Sequence, residues 1–209
     1  MSAQPRISWK PPQSRSGWWK AWDEFMGPGA TRAEEVLQIA GMLLLSALVG
    51  LYWWLQWERL QWTALQTIIT TIFLLDLSGG IVVNASNSAK RWYHREGYTL
   101  RQHMTFIGVH LLHLVAFALL FDAYGLDFVL VNYGFLMGAT LLLWVVPLYV
   151  QRPLGFLLYA LAILMSLYWF AHPAGMEWFL PMFYLKLILA HDLKEAPFRP
   201  ETETAVQDG

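Results

Sequence analysis

Four ionisable side chains lie in stretches of sequence that are otherwise apolar: Asp76, His110, His113 and Lys186. An ionisable group inside a bilayer is costly, so each of the four is a candidate functional residue. Counting the helical rise from the nearest polar edge places Asp76, His110 and Lys186 about 12–13 Å deep. Three separate segments therefore bring ionisable groups to one level. Asp76 and Lys186 are expected to pair there, because a lone buried charge is far less stable than a paired one.

The histidines indicate metal or proton chemistry. His103, His110 and His113 are seven and three residues apart, a spacing that puts them on one face of a helix. With His191 they form a candidate ligand set for zinc or iron, and the pair His103 and His191 allows haem as an alternative. The sequence contains no cysteine, which excludes thiolate-ligated zinc and cysteine-held iron–sulfur clusters. The plain alternative is that these histidines only form hydrogen bonds within a packed helix bundle.

A polar and basic segment follows Asp76 at the predicted edge of the membrane. Candidate residues for the mouth of a site are Asn84, Asn87, Ser88, Arg91, His94 and Arg95. Basic and aromatic residues at this level suit anionic lipid headgroups, and the asparagines and the serine add hydrogen-bonding groups for a headgroup or phosphate. For the basic residues alone, the alternative is ordinary positive-inside anchoring.

Three functional classes assign different roles to the same residues. In a lipid-modifying or metal-dependent enzyme, the candidate catalytic residues are Asp76, His103, His110 and Lys186, with Asp76 orienting or ligating and the histidines serving as base or ligands. A serine in the segment after Asp76 is a further candidate nucleophile, although no nucleophile-elbow motif is present. In a proton-coupled transporter, Asp76 and His110 relay protons. In a structural or accessory subunit, Asp76 and Lys186 fasten two helices and the histidines pack.

The elements that must position these residues are membrane helices. The chain is 56% hydrophobic and 14% charged, whereas a soluble domain carries about 25% charged residues. The long apolar runs predict an all-α, polytopic integral membrane protein with six transmembrane helices. Their predicted ranges are 36–55, 62–83, 103–121, 128–150, 153–171 and 176–193, with a turn at 151–153. Capping-box patterns, Thr31 with Glu34 and Thr99 with Gln102, begin the first and third spans.

The distribution of basic residues predicts the orientation. Of the fourteen lysines and arginines, all except Arg59 and Lys186 fall in segments on one side of the predicted spans. The positive-inside rule makes that side cytoplasmic and places both termini there. Residues 1–30 then form a cytoplasmic arm with a Trp-rich interfacial helix that alternatively packs on the bundle. Residues 31–193 form the transmembrane domain and residues 194–209 a disordered cytoplasmic tail. The predicted location is a bacterial plasma (inner) membrane.

The expected partners are membrane lipids, with anionic headgroups at the cytoplasmic face. A net charge of −1 gives no support to nucleic-acid binding. Gly134 and Gly138 have the spacing of a helix-packing motif that joins copies of a chain or different subunits. Together the patterns predict a multi-pass membrane protein with a cytoplasm-facing polar cavity of histidine, aspartate and lysine, with enzyme, transporter and structural subunit as the open alternatives.

Overall fold

In the computed structural model, which describes residues 6–122 and 124–199, the chain is helical apart from one pair of two-residue antiparallel strands. The strands are β1 (Arg6–Ile7) and β2 (Phe198–Arg199). The helices, in chain order, are α1 (Trp19–Met26), α2 (Arg32–Leu55), α3 (Trp57–Leu60), α4 (Ala64–Ala85), α5 (Asn87–Tyr93), α6 (Leu100–Gly108), α7 (Leu111–Leu120), α8 (Leu126–Val145), α9 (Leu148–Trp169), α10 (Phe179–Tyr184), and a π-helix (Leu185–Asp192) that continues α10.

Among the described residues, five helical segments are long and apolar enough to span a membrane. They are α2, α4, the pair α6 and α7 taken together, α8, and α9. The chain is therefore an all-α, multi-pass integral membrane protein, as its apolar runs predict.

Capping boxes begin three of these segments. The hydroxyl of Thr31 accepts a hydrogen bond from the backbone N–H of Glu34, and the carboxylate of Glu34 accepts one from the N–H of Thr31. Thr99 at the start of α6 makes the same reciprocal arrangement with Gln102, so both predicted capping boxes are confirmed. A third box at Thr63 begins α4. Each box satisfies backbone donors that the first helical turn leaves without partners.

The third span is broken in its middle, which the sequence does not predict. α6 ends at Gly108 and α7 begins at Leu111. Between them the N–H groups of His110 and His113 donate to the carbonyls three residues earlier, Ile107 and His110, each at 3.1 Å. Such bonds wind the helix more tightly than an α-helix. Side chains after the break therefore point in a different direction from those before it.

The boundary between the fourth and fifth spans corrects the prediction of a turn at 151–153. α8 ends at Val145, and α9 begins at Leu148 after Val146 and Pro147. The residue before a proline is sterically pushed out of the helical region, and Val146 has an extended ψ of 150°. Pro153, expected at the start of the span, lies inside α9 instead.

The segment predicted as the sixth span occupies the centre of the bundle. α10 has 6 residues and the π-helix 8, short of the about 20 that usually cross the hydrocarbon. The segment packs against α4, α8 and α9, and Phe179, Phe183 and Leu187 on it are fully buried. The surrounding helices therefore shield it from lipid, which explains how it tolerates Lys186 and Asp192.

The N-terminal arm docks on the bundle through Gly27. Met26 at the end of α1 is buried against Val83 and Ala89, and the next residue, Gly27, has a positive φ of 89°. A Cβ at Gly27 would lie 2.4 Å from the backbone nitrogen of Ala89. Trp18 on the same arm stays 76% exposed. The end of the arm thus packs against the bundle, while Trp18 faces outward.

The ends of the described chain meet at the strand pair. Arg6 pairs with Arg199, and Ile7 pairs with Phe198. These residues belong to the predicted arm and to the predicted disordered tail, whose remaining part, 200–209, lies outside the described residues.

Gly27→Ala is expected to loosen the arm for two reasons. The alanine side chain disfavours the positive φ at this position, and its Cβ clashes with the backbone of α5. Gly97→Ala is the matched control, since Gly97 also has a positive φ of 80° but a Cβ there would meet only open space. We expect Gly27→Ala to lower the free energy of unfolding by about 1–3 kcal/mol more than Gly97→Ala does. Unfolding in mixed detergent micelles measures this, and trypsin cleavage at Lys20 reports release of the arm. Equal losses in the two variants would contradict the docking role.

Candidate functional site

The centre of the site is the carboxylate of Asp76 on α4. Its Oδ2 atom accepts a hydrogen bond from Nζ of Lys186 at 2.6 Å and one from Nε2 of His113 at 3.0 Å. Lys186 reaches Asp76 by crossing Gly80, where a Cβ would lie 2.3 Å from Cε of the lysine. Glycine at position 80 is therefore the condition for this approach. The ion pair expected from the depths of Asp76 and Lys186 is confirmed.

His113 on α7 and His110 in the turn before α7 each donate a hydrogen bond from one ring nitrogen. Because a carboxylate only accepts, His113 donates from Nε2 to Asp76, while its ring stacks on Phe73 with the centroids 3.9 Å apart. His110 donates from Nδ1 to the carbonyl of Phe106 at 2.9 Å. If neutral, His110 then carries its lone pair on Nε2. The rings of His110 and His113 lie 5.2 Å apart.

A cavity of about 340 Å³ adjoins this centre and opens on the flank of the bundle between α4 and the α6–α7 segment. The side chain of Asp76 is 40% exposed towards it, whereas that of Lys186 is 4% exposed. Val109 and Leu112 on the cavity wall are 54% and 68% exposed. At its other end lies Asn84, a buried residue whose side-chain Nδ2 has no hydrogen-bond partner within residues 6–122 and 124–199. The cavity thus joins polar groups to a surface of membrane-facing apolar side chains.

A second polar cluster forms where α5, α6 and the end of the π-helix meet. The ring centroid of His103 lies 5.1 Å from that of His94 and 5.4 Å from that of His191, and the latter two are 6.4 Å apart. His103, His191 and Asp192 each place one potential ligand atom within 4.8 Å of the others. Thr140 of α8 donates to Oδ2 of Asp192 at 2.7 Å. We call His94, His103, His191 and Asp192 the triad-and-acid cluster.

Two groups at the rim of this cluster lie outside the spans and have shifted pKa values. Burial lowers the pKa of Lys90 to about 8, although the carboxylates of Glu195 and Asp192 act in the opposite direction. Burial, followed by the charge of Lys90, lowers the pKa of His94 well below its ordinary value. His94 is therefore neutral at pH 7, and its Nε2 donates to the carbonyl of His191 at 2.9 Å.

The predicted four-histidine ligand set is divided between the two sites. His110 and His113 lie beside Asp76, whereas His103 and His191 belong to the triad-and-acid cluster. Phe106 lies between them, because its ring stacks on His191 at a centroid distance of 3.9 Å and also lies 5.4 Å from the ring of His110. Of the predicted catalytic residues, Asp76, His110 and Lys186 line one cavity, and His103 is not among its lining residues.

Ser88 and Arg91, two of the predicted mouth residues, contact the end of the arm and the first turn of α2. The backbone N–H of Ser88 donates to the carboxylate of Glu34, and its hydroxyl donates to the carbonyl of Met26. Arg91 is buried and donates to the carbonyl of Gly29 at 3.4 Å. Ser88 and Arg91 therefore already form hydrogen bonds within the chain.

Two further mouth residues lie on the same side of the molecule. The side-chain oxygen of Asn87 accepts a hydrogen bond from the backbone of Phe198. The guanidinium of Arg95 lies over the rings of Trp92 and Tyr98, at 3.9 and 4.8 Å from their centroids.

The sequence did not indicate Thr140 and Lys90 as site residues. A threonine in an apolar span usually bonds to its own helix, so its sequence position gives no signal of a partner on another segment. Lys90 stands in a basic segment that is equally well explained by positive-inside anchoring.

Asp76→Asn is expected to destabilise the bundle more than Lys186→Met does. The asparagine leaves the buried ammonium of Lys186 without a counter-charge, at a cost of about 3–5 kcal/mol. In Lys186→Met, by contrast, Asp76 keeps His113 and partial exposure. The double variant should recover at least half of the loss seen in Asp76→Asn. Unfolding in mixed detergent micelles measures all three free energies, and a double variant no more stable than Asp76→Asn would show that the two charges are not coupled.

Comparison with known proteins supplies no relative from which a role could be transferred. No protein family matches the sequence, and neither a curated protein nor a solved structure matches the chain. The function must therefore be argued from the cavity beside Asp76 and from the cluster of histidines behind it.

Proposed function

We propose that this protein is a lipid-modifying membrane enzyme that performs acid–base chemistry on a membrane-dissolved amphiphile in the cavity beside Asp76. One observation carries the proposal: the side chain of Asp76 is 40% exposed on the flank of a membrane-spanning helix, while a buried lysine and a histidine bind its carboxylate. An acid exposed at that level needs a polar occupant or water beside it, because hydrocarbon cannot solvate it.

The walls of the cavity favour an amphiphile as that occupant. Asp76 supplies an acceptor and Asn84 a donor, and Phe73, Val109 and Leu112 supply apolar contacts. A molecule with a polar head and an acyl or isoprenoid tail could enter sideways between α4 and α7 without leaving the membrane. Ligand sites combine a mostly apolar lining with a few fixed polar groups in this way.

His110 is the general base in this proposal. Its Nδ1 is engaged by the carbonyl of Phe106 at 2.9 Å, which leaves Nε2 to take a proton from the substrate or from a water molecule. Asp76 fixes the ring of His113, and Lys186 provides a positive charge next to the carboxylate. A negative charge that develops on the substrate head would be stabilised by that ammonium.

We also propose that the chain crosses the membrane six times, with both termini in the cytoplasm of a bacterial cell. The α10–π segment supports the sixth crossing, because it links opposite ends of the bundle. At its start the carbonyl of Gly175 accepts from Trp53 at the end of α2, and just beyond its end the carbonyl of Leu193 accepts from Lys90 on α5. The basic residues on the α5 side support its cytoplasmic placement.

Replacing the proposed base His110 should strongly reduce lipid turnover without unfolding the protein. We expect His110→Ala to lower the rate at least about 100-fold, the usual contribution of general acid–base catalysis. The measurement is mass spectrometry of all lipids in membranes from cells that express the wild type, His110→Ala or the control His172→Ala. His172 bonds to Ser166 at the other end of the bundle.

A lipid consumed by the wild type and by His172→Ala but spared by His110→Ala supports the enzyme. If the three lipid profiles coincide while all three proteins are folded, acid–base catalysis in this cavity is wrong.

Proton-coupled transport is the second candidate, favoured because one carboxylate is shared between a lysine and a histidine on two other segments. Protonation of Asp76 would weaken both contacts together and would release α4 from the central segment. Proteoliposomes with a pH-sensitive dye distinguish this function from catalysis. In them, Asp76→Asn should stop substrate-driven proton flux, while an enzyme would convert its lipid without any flux.

A further inference from the structure

His191 lies at the end of the π-helix, and its imidazole is buried. It is 1% exposed, and neither Nδ1 nor Nε2 has a hydrogen-bond partner within residues 6–122 and 124–199. A neutral imidazole has one donor and one acceptor, and burying both unsatisfied is costly. A buried polar group without a partner needs an explanation, and a bound ion is one that accounts for an imidazole.

We infer that the triad-and-acid cluster binds one divalent transition metal ion, with His103, His191 and Asp192 as its inner ligands and His94 as the fourth. Metal–nitrogen bonds of about 2.1 Å at tetrahedral angles place the ring centroids of neighbouring histidine ligands about 5 Å apart. The centroids of His103 lie 5.1 and 5.4 Å from those of His94 and His191. The two separations from His103 therefore match a metal centre. His94 and His191, whose centroids are 6.4 Å apart, and the ligand atoms of His103, His191 and Asp192, which lie within 4.8 Å of one another, would move inward on binding.

The groups behind the ligands match the usual second layer of a metal site. Thr140 donates to one carboxylate oxygen of Asp192, which leaves the other oxygen for the metal. His94 donates from Nε2 to the carbonyl of His191, and its Nδ1 then carries the lone pair. Metal-binding histidines commonly use their other nitrogen in this way, which fixes the tautomer.

Imidazole and carboxylate donors without thiolates suit zinc or ferrous iron rather than a soft cuprous ion. Asp192 supplies one negative charge, and the nearby cation Lys90 is directed to the carbonyl of Leu193 at 2.6 Å. The metal would join the end of the π-helix to α6 and to the end of α5. The ring of Phe106 separates this metal site from the cavity at Asp76. Its role is thus distinct from the proposed lipid chemistry.

Metal analysis of the full chain, purified in detergent without chelator from zinc-supplemented cells, tests the site. We expect about one zinc or iron per chain in the wild type and in the control His172→Ala. We expect loss of at least nine-tenths of it, about a tenfold change in content, in His103→Ala and His191→Gln. After stripping, Co²⁺ should give the visible absorption of a four-coordinate ion in the wild type.

Thr140→Val keeps the test decisive even if the ligand variants fold poorly, because valine matches the shape of threonine and leaves all four ligands in place. Removing the hydroxyl that orients Asp192 should weaken Co²⁺ affinity about 10–100-fold. Folded wild type that shows no Co²⁺ absorption, or Co²⁺ affinity equal in the wild type and Thr140→Val, overturns the site. Either result leaves the lipid proposal intact, because Asp76, His110 and Lys186 take no part in this measurement.

Discussion

The ion pair between Lys186 and Asp76 is the interaction on which the architecture depends. A lysine that is 4% exposed cannot stay charged in the interior of a membrane protein without a counter-charge. The pair forms because Gly80 lets the lysine cross α4 at close range. Its presence also explains why the α10–π segment is enclosed by longer apolar helices, since lipid would not solvate the charges of Lys186 and Asp192.

The same segment supplies residues to both candidate sites. Its second part is a π-helix, in which the backbone hydrogen bonds join residues five apart. Lys186 and His191 have this spacing, and Lys186 faces Asp76 while His191 faces His103. The ring of Phe106 separates the two groups. One short segment can therefore place a charge in a lipid-facing cavity and an imidazole in a closed cluster.

Depth along a helix could be predicted from the sequence, but the grouping of side chains from different segments could not. Helical rise alone placed Asp76 and Lys186 at one level, and their contact is confirmed. The histidines expected to form one ligand set are divided, because His110 and His113 lie beside Asp76 whereas His103 meets His94 and His191. The end of α8 shows a second limit. Pro147 ended that helix through its steric effect on Val146, and Pro153 stayed inside a helix despite its usual preference for a first turn. Ligand groupings across segments, such as Asp192 with Thr140, depend on packing that a single sequence does not express.

The unequal exposure of the two charges favours the proposed site over a purely structural ion pair. A pair that served stability alone would be most favourable with both partners enclosed, because any exposed part of a carboxylate loses solvation in hydrocarbon. Here the lysine is enclosed and the acid is 40% exposed, next to a cavity of about 340 Å³. An opening kept beside an acid at this depth is better explained by a molecule that enters it than by the needs of folding.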